Sequence, residues 1–364
     1  MGLITMADSA NFPMLGSLTK IKKNMQKVEQ VGSVRVDLLG GTIDLPPIQM
    51  ILPRVVTINL ATTLVARAAI EEISSPVVVF ESVDYASTTE FALELFQSWD
   101  QVTNPFRELQ FVALIVSLFR PKSGLKITLE SGSPPGAGLG GSSAMGITLF
   151  RALAKFYGQK FSQKEIFLKV NALEAKILNR GPAGYQDYFP ALYGGILALK
   201  PVPGDIVVEQ FFNDEFKTYL EKRLTLIYSG ETRLSGINNW EVYKKFFDGD
   251  DQIRNGLREI AELSDAAYRA LLKKEYDKLS PLIIKEGQTR ARLFPNILSS
   301  TMKVFESELM RRIRNAGVKV CGAGGGGCFL AVHEAEDRPK VEALAQEQKL
   351  RILDLTVMPP SDFA

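Results

Sequence analysis

The sequence predicts an α+β protein built as two domains, and three observations carry that expectation. A chain of 364 residues that is 46% apolar is long enough to bury more than one core. Strand-like and helix-like stretches are interspersed with no strict βαβ rhythm, which favours layered sheets and helices over a doubly wound parallel sheet. A Pro/Gly stretch, PVPGD at 201–205, falls mid-chain as the candidate boundary or major crossover. The expected division is an extension at 1–28, a first domain at 29–205 and a second at 206–364.

Residues 1–28 show no clear period. From Val31 onward, SVRVDLLG, the turn GTIDLPP and VVTINLATTLVARAAIEE alternate β-branched residues and predict an antiparallel pair. VVVFES (77–82) reads as another strand, and 89–99 and 106–119 read as helices, the second opening just after Pro105. LKITLE (125–130) is a strand, followed by a glycine-rich loop and a helix at 144–157. Ser162 and Glu165 have capping-box spacing for a helix at 162–179. A Gly- and Pro-rich loop at 181–195 leads into a strand at 196–200. The second half opens with the strand RLTLIYSG (223–230), followed by amphipathic helices at 251–275, 277–291 and 297–316. It closes with the strand VKVCG, the loop GAGGGG, the strand CFLAVH, a helix at 338–348 and the strand RILDLTV.

Composition excludes several classes. Lys+Arg 43 against Asp+Glu 41 leaves a net charge of +2, so nothing draws the whole molecule to nucleic acid or an anionic membrane. The longest apolar run, 111–116, is too short to span a bilayer. The N-terminus has no basic start with an apolar stretch behind it, and Met6 breaks the myristoylation pattern begun by Gly2. Two cysteines, Cys321 and Cys328, make no disulfide framework and do not have zinc-site spacing. A cytoplasmic enzyme is expected. The single histidine, His333, reads as a surface residue and cannot build a metal cluster; no G-x-S-x-G elbow exists to partner it. Acid–base chemistry therefore falls to carboxylates, lysine, tyrosine or arginine.

The most telling stretch is PPGAGLGGSSAM at 134–145, set between a predicted strand and a predicted helix. Such a turn lets bare backbone N–H groups converge on an anion at the positive end of a helix. Ser142 and Ser143 add hydroxyls that can reach a phosphate or its metal ion. An ordinary Gly/Ser loop and a dinucleotide fingerprint are the other readings. Gly136, Gly138 and Gly141 do satisfy G-x-G-x-x-G, but the first acid beyond them is Glu165, before another helix. A Walker loop fails because the chain has no Gly-Lys pair.

Three other segments fit one site with that loop. VRVDLLGGTIDLPPI (34–48) sets Arg35 and Asp44 on either side of a tight Gly-Gly turn. NALEAKILNRGPAGYQDYFPALYGG (171–195) brings Glu174 on a helix together with Gln186 and Asp187 in the following loop. Two carboxylates so arranged suit one metal ligand and one general base. KVCGAGGGGCFLAV (319–332) joins two apolar strands through five glycines, an entropic cost that makes sense where backbone must pass close to backbone or ligand.

Taken in chain order the four segments resemble the signatures of the GHMP kinase superfamily, from about residue 32 to the end, and most of all its sugar kinases that act at an anomeric hydroxyl. IYSGETRLS (227–235) resembles a further segment of that branch and brings in Arg233. The resemblance implies a ribosomal-protein-S5-like N-terminal domain, a ferredoxin-like C-terminal domain, and a cleft between them. It implies that ATP lies with its phosphates on Gly136, Ala137, Gly138, Leu139, Gly140, Gly141, Ser142 and Ser143. Mg²⁺ is then held by Glu174 and Ser142, with Ser143 the alternative. By the same resemblance Asp187 takes the proton from the attacking hydroxyl with Arg35 beside it. Asp44 binds sugar hydroxyls, with Gly41, Gln186 and Arg233 completing the acceptor set. A kinase of mevalonate or homoserine, an ATP-dependent decarboxylase and a non-catalytic regulatory relative are the alternatives. The expected partner is a small-molecule sugar or sugar phosphate.

Overall fold

The computed structural model describes residues 27–97, 105–178, 184–231 and 239–361. The first half of the chain supplies β1 (Lys27–Leu39), α1 (Ile48–Ile51), β2 (Thr57–Ile73), β3 (Val77–Ser82), β4 (Ser87–Ala92), α2 (Gln110–Phe119) and β5 (Gly124–Glu130). Then come α3 (Gly141–Phe156), α4 (Gln163–Leu178), α5 (Phe189–Tyr193), β6 (Ile196–Val202) and β7 (Asp205–Gln210). These strands form a seven-stranded sheet in the order β4-β3-β5-β2-β6-β7, with β1 also paired to β2. The 17-residue β2 is its spine. It runs antiparallel to β1 through most of its length, to β5 at Arg67–Ile73 and to β6 at Thr57–Leu60.

The second half supplies α6 (Asp214–Arg223), β8 (Leu224–Tyr228), α7 (Asn239–Asp248), α8 (Asp251–Leu272), α9 (Leu279–Leu293) and α10 (Ser300–Arg312). β9 (Gly317–Val320), β10 (Cys328–Val332), α11 (Arg338–Glu347) and β11 (Arg351–Leu353) follow. The four strands form an antiparallel sheet in the order β11-β8-β10-β9. Numbered within the sheet that order is 4-1-3-2, with helices between the first and second strands and between the third and fourth. This is the ferredoxin-like arrangement.

Local chemistry accounts for the helix starts. Ser162 Oγ accepts from Glu165 N–H, and Glu165 Oε2 accepts from Ser162 N–H, the expected capping box for α4. Asn213, Asp250 and Ser299 each cap a helix with a side-chain oxygen, for α6, α8 and α10. One apolar core runs between the two halves, joining Leu38, Ile58 and Phe150 to Leu226, Leu330 and Val357. The last described segment returns to the first sheet: Thr63 N–H donates to Thr356 O (3.0 Å) and Met358 N–H to Ala61 O (2.9 Å). Gly195 N–H also donates to Met358 O (2.9 Å).

Three expectations need correction. The stretch from Thr89 is not helical: 87–92 is β4, paired antiparallel with β3, and 93–96 is a single 3₁₀ turn. Cross-strand pairing overrides the helical spacing of its apolar residues, and Phe91 and Phe96 instead stack edge-on or tilted around Phe80 and Phe106. The 201–205 stretch is no crossover between units. It turns the β6–β7 hairpin, so the first sheet continues to Gln210. His333 is not on the surface. It is 1% exposed, with one ring nitrogen 2.9 Å from Thr225 Oγ1 and the other 2.8 Å from Glu334 O. The expected extension lies outside the described residues except for its last two positions, which open β1. Among the described residues, no helix is long and apolar enough to cross a membrane.

Candidate active site

The glycine-rich loop ends in Gly140, which caps α3 at φ 71°. A Cβ there would lie 3.1 Å from Asp187 Cβ and 3.4 Å from Arg35 Cγ, so the loop is pressed against both. Arg35 N–H also donates to Leu139 O (3.0 Å), stitching β1 to the loop. On the other side the loop meets the glycine hairpin between β9 and β10. Cys328 N–H donates to Ala137 O (2.7 Å), and a Cβ at Gly322 would fall 2.7 Å from Gly138 O. Backbone therefore does pass against backbone here, which is the physical reason for the hairpin's glycines.

Arg35 is 5% exposed in its side chain and sits beneath Asp187, which is 31% exposed. Its Nε and Nη2 both lie 2.8 Å from Asp187 Oδ1, while Nη1 donates to the carbonyls of Gly138 and Cys321, each at 2.6 Å. One guanidinium thus ties the carboxylate to both glycine segments.

Glu174 lies on α4 and faces the loop's serines. Ser143 Oγ donates to its Oε2 (2.7 Å), and Tyr188 Oη donates to the same oxygen (2.6 Å). Burial pushes the Glu174 carboxyl up; hydrogen bonds from Tyr188, Ser143 and Ser142 pull it down, and Asp187 adds a like charge. Ser142 is exposed at the rim, whereas Ser143 is 4% exposed. One carboxylate and two hydroxyls are hard oxygen donors. That set fits Mg²⁺, which takes one or two carboxylates and completes its shell with water and phosphate oxygens. Among the described residues no group of three or more His, Cys, Asp or Glu could hold a metal by itself.

Asp44 is 2% exposed and accepts at Oδ2 from Gln186 N–H (3.3 Å). Burial, then the nearby Asp187 charge, pushes its carboxyl up to about 7. The loop that carries Gln186 and Asp187 is held to β2 through Thr57 Oγ1 and Tyr185 Oη (3.2 Å apart) and through Asn59 Nδ2, which donates to Gln186 O (3.2 Å). Gly41 has a packing role: a Cβ on it would fall 2.1 Å from Asp37 Oδ2. Arg233 lies outside the described residues.

Sequence reasoning missed a buried charge cluster under the site. Lys319 Nζ lies 2.8 Å from Asp37 Oδ2 and 3.7 Å from Glu286 Oε2, and Arg290 Nη1 lies 3.5 Å from the same Asp37 oxygen. All four side chains are at most 3% exposed. Burial pushes Glu286 up, while Lys319 pulls it down. The available signal was Lys319 itself, a lone charge inside the apolar strand VKV beside a glycine run.

A glycine loop at a helix start, a rim serine with a buried glutamate, and an arginine-bound aspartate thus meet at one place in the fold. Residues 109–195 match the family described as GHMP kinases N terminal domain, and the mixed helix-and-sheet fold is that of GHMP kinase structures. It is 27% identical over 86% of its length to a bifunctional fucokinase/GDP-fucose pyrophosphorylase of Arabidopsis thaliana, of which it spans only 30%. Among solved structures it superposes on the Methanococcus jannaschii mevalonate kinase with a TM-score of 0.71 at 21% identity, covering 93% of this chain and 99% of that one. The D-glycero-D-manno-heptose 1-phosphate kinase of Bacteroides thetaiotaomicron gives a TM-score of 0.71 at 17% identity, covering 92% and 97%. At these identities the structural likenesses speak for the fold alone.

Proposed function

We propose that this protein transfers the γ-phosphoryl group of ATP to a hydroxyl, the anomeric one, of a sugar or sugar phosphate. The observation that carries the reading is Asp187. It is bound by Arg35, pressed against Gly140 of the phosphate loop, and electrostatically felt by both Glu174 and Asp44. A base there lies between a phosphate end and an acceptor end.

In this reading, N–H groups of 136–143 bind the phosphates at the start of α3. Glu174 with Ser142 or Ser143 would hold Mg²⁺, which when bound offsets charge on the phosphate oxygens. Asp44 and Gln186 orient the acceptor, and Asp187 takes the proton of its attacking hydroxyl at a carboxylate oxygen. Arg35 fixes the direction of that carboxylate and adds positive charge near the transferring group. A buried carboxyl at the acceptor end, pushed up to about 7, can both donate to and accept from hydroxyls and suits a hydroxyl-rich substrate, which favours a sugar over mevalonate. Two free, buried cysteines suit a reducing, cytoplasmic setting.

The test is MgATP-dependent ADP release across free sugars, sugar phosphates, mevalonate and homoserine, with Asp187→Asn alongside. Turnover of a sugar, lost in the variant, supports the reading. Turnover of mevalonate or homoserine instead, or CO₂ release, overturns it.

A further inference from the structure

Thr42 holds φ 78°, a backbone conformation that a β-branched residue rarely takes. It is 9% exposed and lies in the turn between β1 and Asp44. Strain of this kind persists only where the surroundings over-determine it. Here they do so through one side chain of α9. Arg290, itself 2% exposed, donates from Nη2 to Thr42 Oγ1 (3.3 Å) and to Gly322 O (2.8 Å). Its Nη1 donates to Val320 O (3.0 Å) and Asp37 Oδ2 (3.5 Å). A single planar fork of donors therefore grips the acceptor turn with one hand and the glycine hairpin with the other. The hairpin in turn lies against Gly138 of the phosphate loop.

Resting on the kinase reading above, we propose that Arg290 is a positioning residue whose hold on the left-handed Thr42 sets the 40–44 turn, and with it Asp44, in register with the phosphate loop. Arg290 is aimed at backbone carbonyls, Asp37 and Thr42, so its effect on the acceptor runs through the turn. A flexible lysine with one point charge cannot reproduce the four-partner geometry.

The experiment uses three substitutions at the gripped residue and leaves the buried charges intact. Thr42→Val keeps the branched shape and removes the hydroxyl. Thr42→Ser keeps the hydroxyl. Thr42→Gly adopts the left-handed conformation without strain and needs no grip. Thr42→Val is expected to raise the acceptor KM roughly tenfold, the scale of one lost hydrogen bond to a charged donor. Its kcat and MgATP KM should stay within about twofold of the parent, and Thr42→Ser and Thr42→Gly should remain near the parent throughout. Hydrogen exchange of the 40–45 amides, measured on the full chain without substrate, should quicken in Thr42→Val alone. Unchanged exchange with unchanged acceptor KM overturns the proposal. So does a parallel loss of acceptor affinity, MgATP affinity and kcat, which a merely structural role would give. If the parent protein turns over no sugar yet the Thr42→Val turn exchanges faster, the sugar reading fails and the grip on the turn stands.

Discussion

Arg35 bonds Asp187 through a single oxygen. Both Nε and Nη2 lie 2.8 Å from Oδ1, and Oδ2 has no hydrogen-bond partner among the described residues. The carboxylate is thus held in direction while one oxygen keeps its lone pairs, the state required of a base that must accept a proton from an incoming hydroxyl.

Asp187→Asn preserves the shape and the contact with Arg35 but removes the accepting charge. Turnover should fall by about 10²–10⁴-fold, the usual share of a positioned base. MgATP binding by calorimetry should stay near the parent value. Full turnover in the variant would remove Asp187 from the base role.

Tyr188 donates to Glu174 Oε2 at 2.6 Å, also hydrogen-bonds Asn171 and has no exposed surface, so Tyr188→Phe removes the hydroxyl's hydrogen bonds while keeping the ring's packing. Partners that orient a metal-holding carboxylate are worth about 10–100-fold in metal affinity. The Mg²⁺ concentration giving half-maximal turnover should rise by about that factor in Tyr188→Phe, and further in Glu174→Gln. A Mg²⁺ dependence identical to the parent in both variants contradicts the assignment of Glu174.

Asp44 makes stability depend on pH with a definite sign. Its carboxyl stands at about 7 in the folded protein, against 3.8 ordinarily, because of burial first and Asp187 second. The folded state therefore binds more protons than the unfolded chain between those values. The stability due to this group is fully present below the unfolded value and is lost as pH rises through 7. Asp44→Asn carries no such charge, so its Tm relative to the parent should be more favourable at pH 8 than at pH 5. An offset that is the same at both pH values refutes the assignment.

Lys319 is fully buried between Asp37 and Glu286. Removing one member of a buried ion pair leaves uncompensated charge and costs about 3–5 kcal/mol. Lys319→Met should lower the denaturation midpoint accordingly, read by urea titration. A midpoint equal to the parent's would show that the cluster is neutral to stability.

The candidate site was legible where the proposed chemistry demands rare residues in tight spacing. The 134–145 loop, Arg35, Asp44, Glu174 and the Gln186-Asp187 pair stand out because bare backbone and paired carboxylates are costly unless used. The structure brings all of these together. Which serine is buried against Glu174 was not legible: Ser142 and Ser143 are adjacent and both hydrogen-bond the carboxylate, and only the helix phase buries Ser143 while leaving Ser142 at the rim. Arg290 and Glu286 were invisible for a different reason. On α9 they look like ordinary charged positions of an amphipathic helix, and only the tertiary packing of that helix on β9 turns them inward. His333 failed in the same way, since a polar neighbourhood in sequence is no guide to what packs above a strand end. The β4 strand was misread because its partner, β3, lies outside the window in which helical spacing is judged.

The return of residues 356–358 to β2 and Gly195 has a consequence for how the protein comes apart. A fragment cut after residue 205 would lack β7 and the closing segment, and would leave the backbone of β6 and of residues 61–63 without those partners. The first half cannot melt or assemble as an independent body, because its own interior is completed by residues more than 150 positions further along the chain. Heat or denaturant should therefore find one cooperative unit, with the mutual dependence of the two halves built into the wiring of the chain.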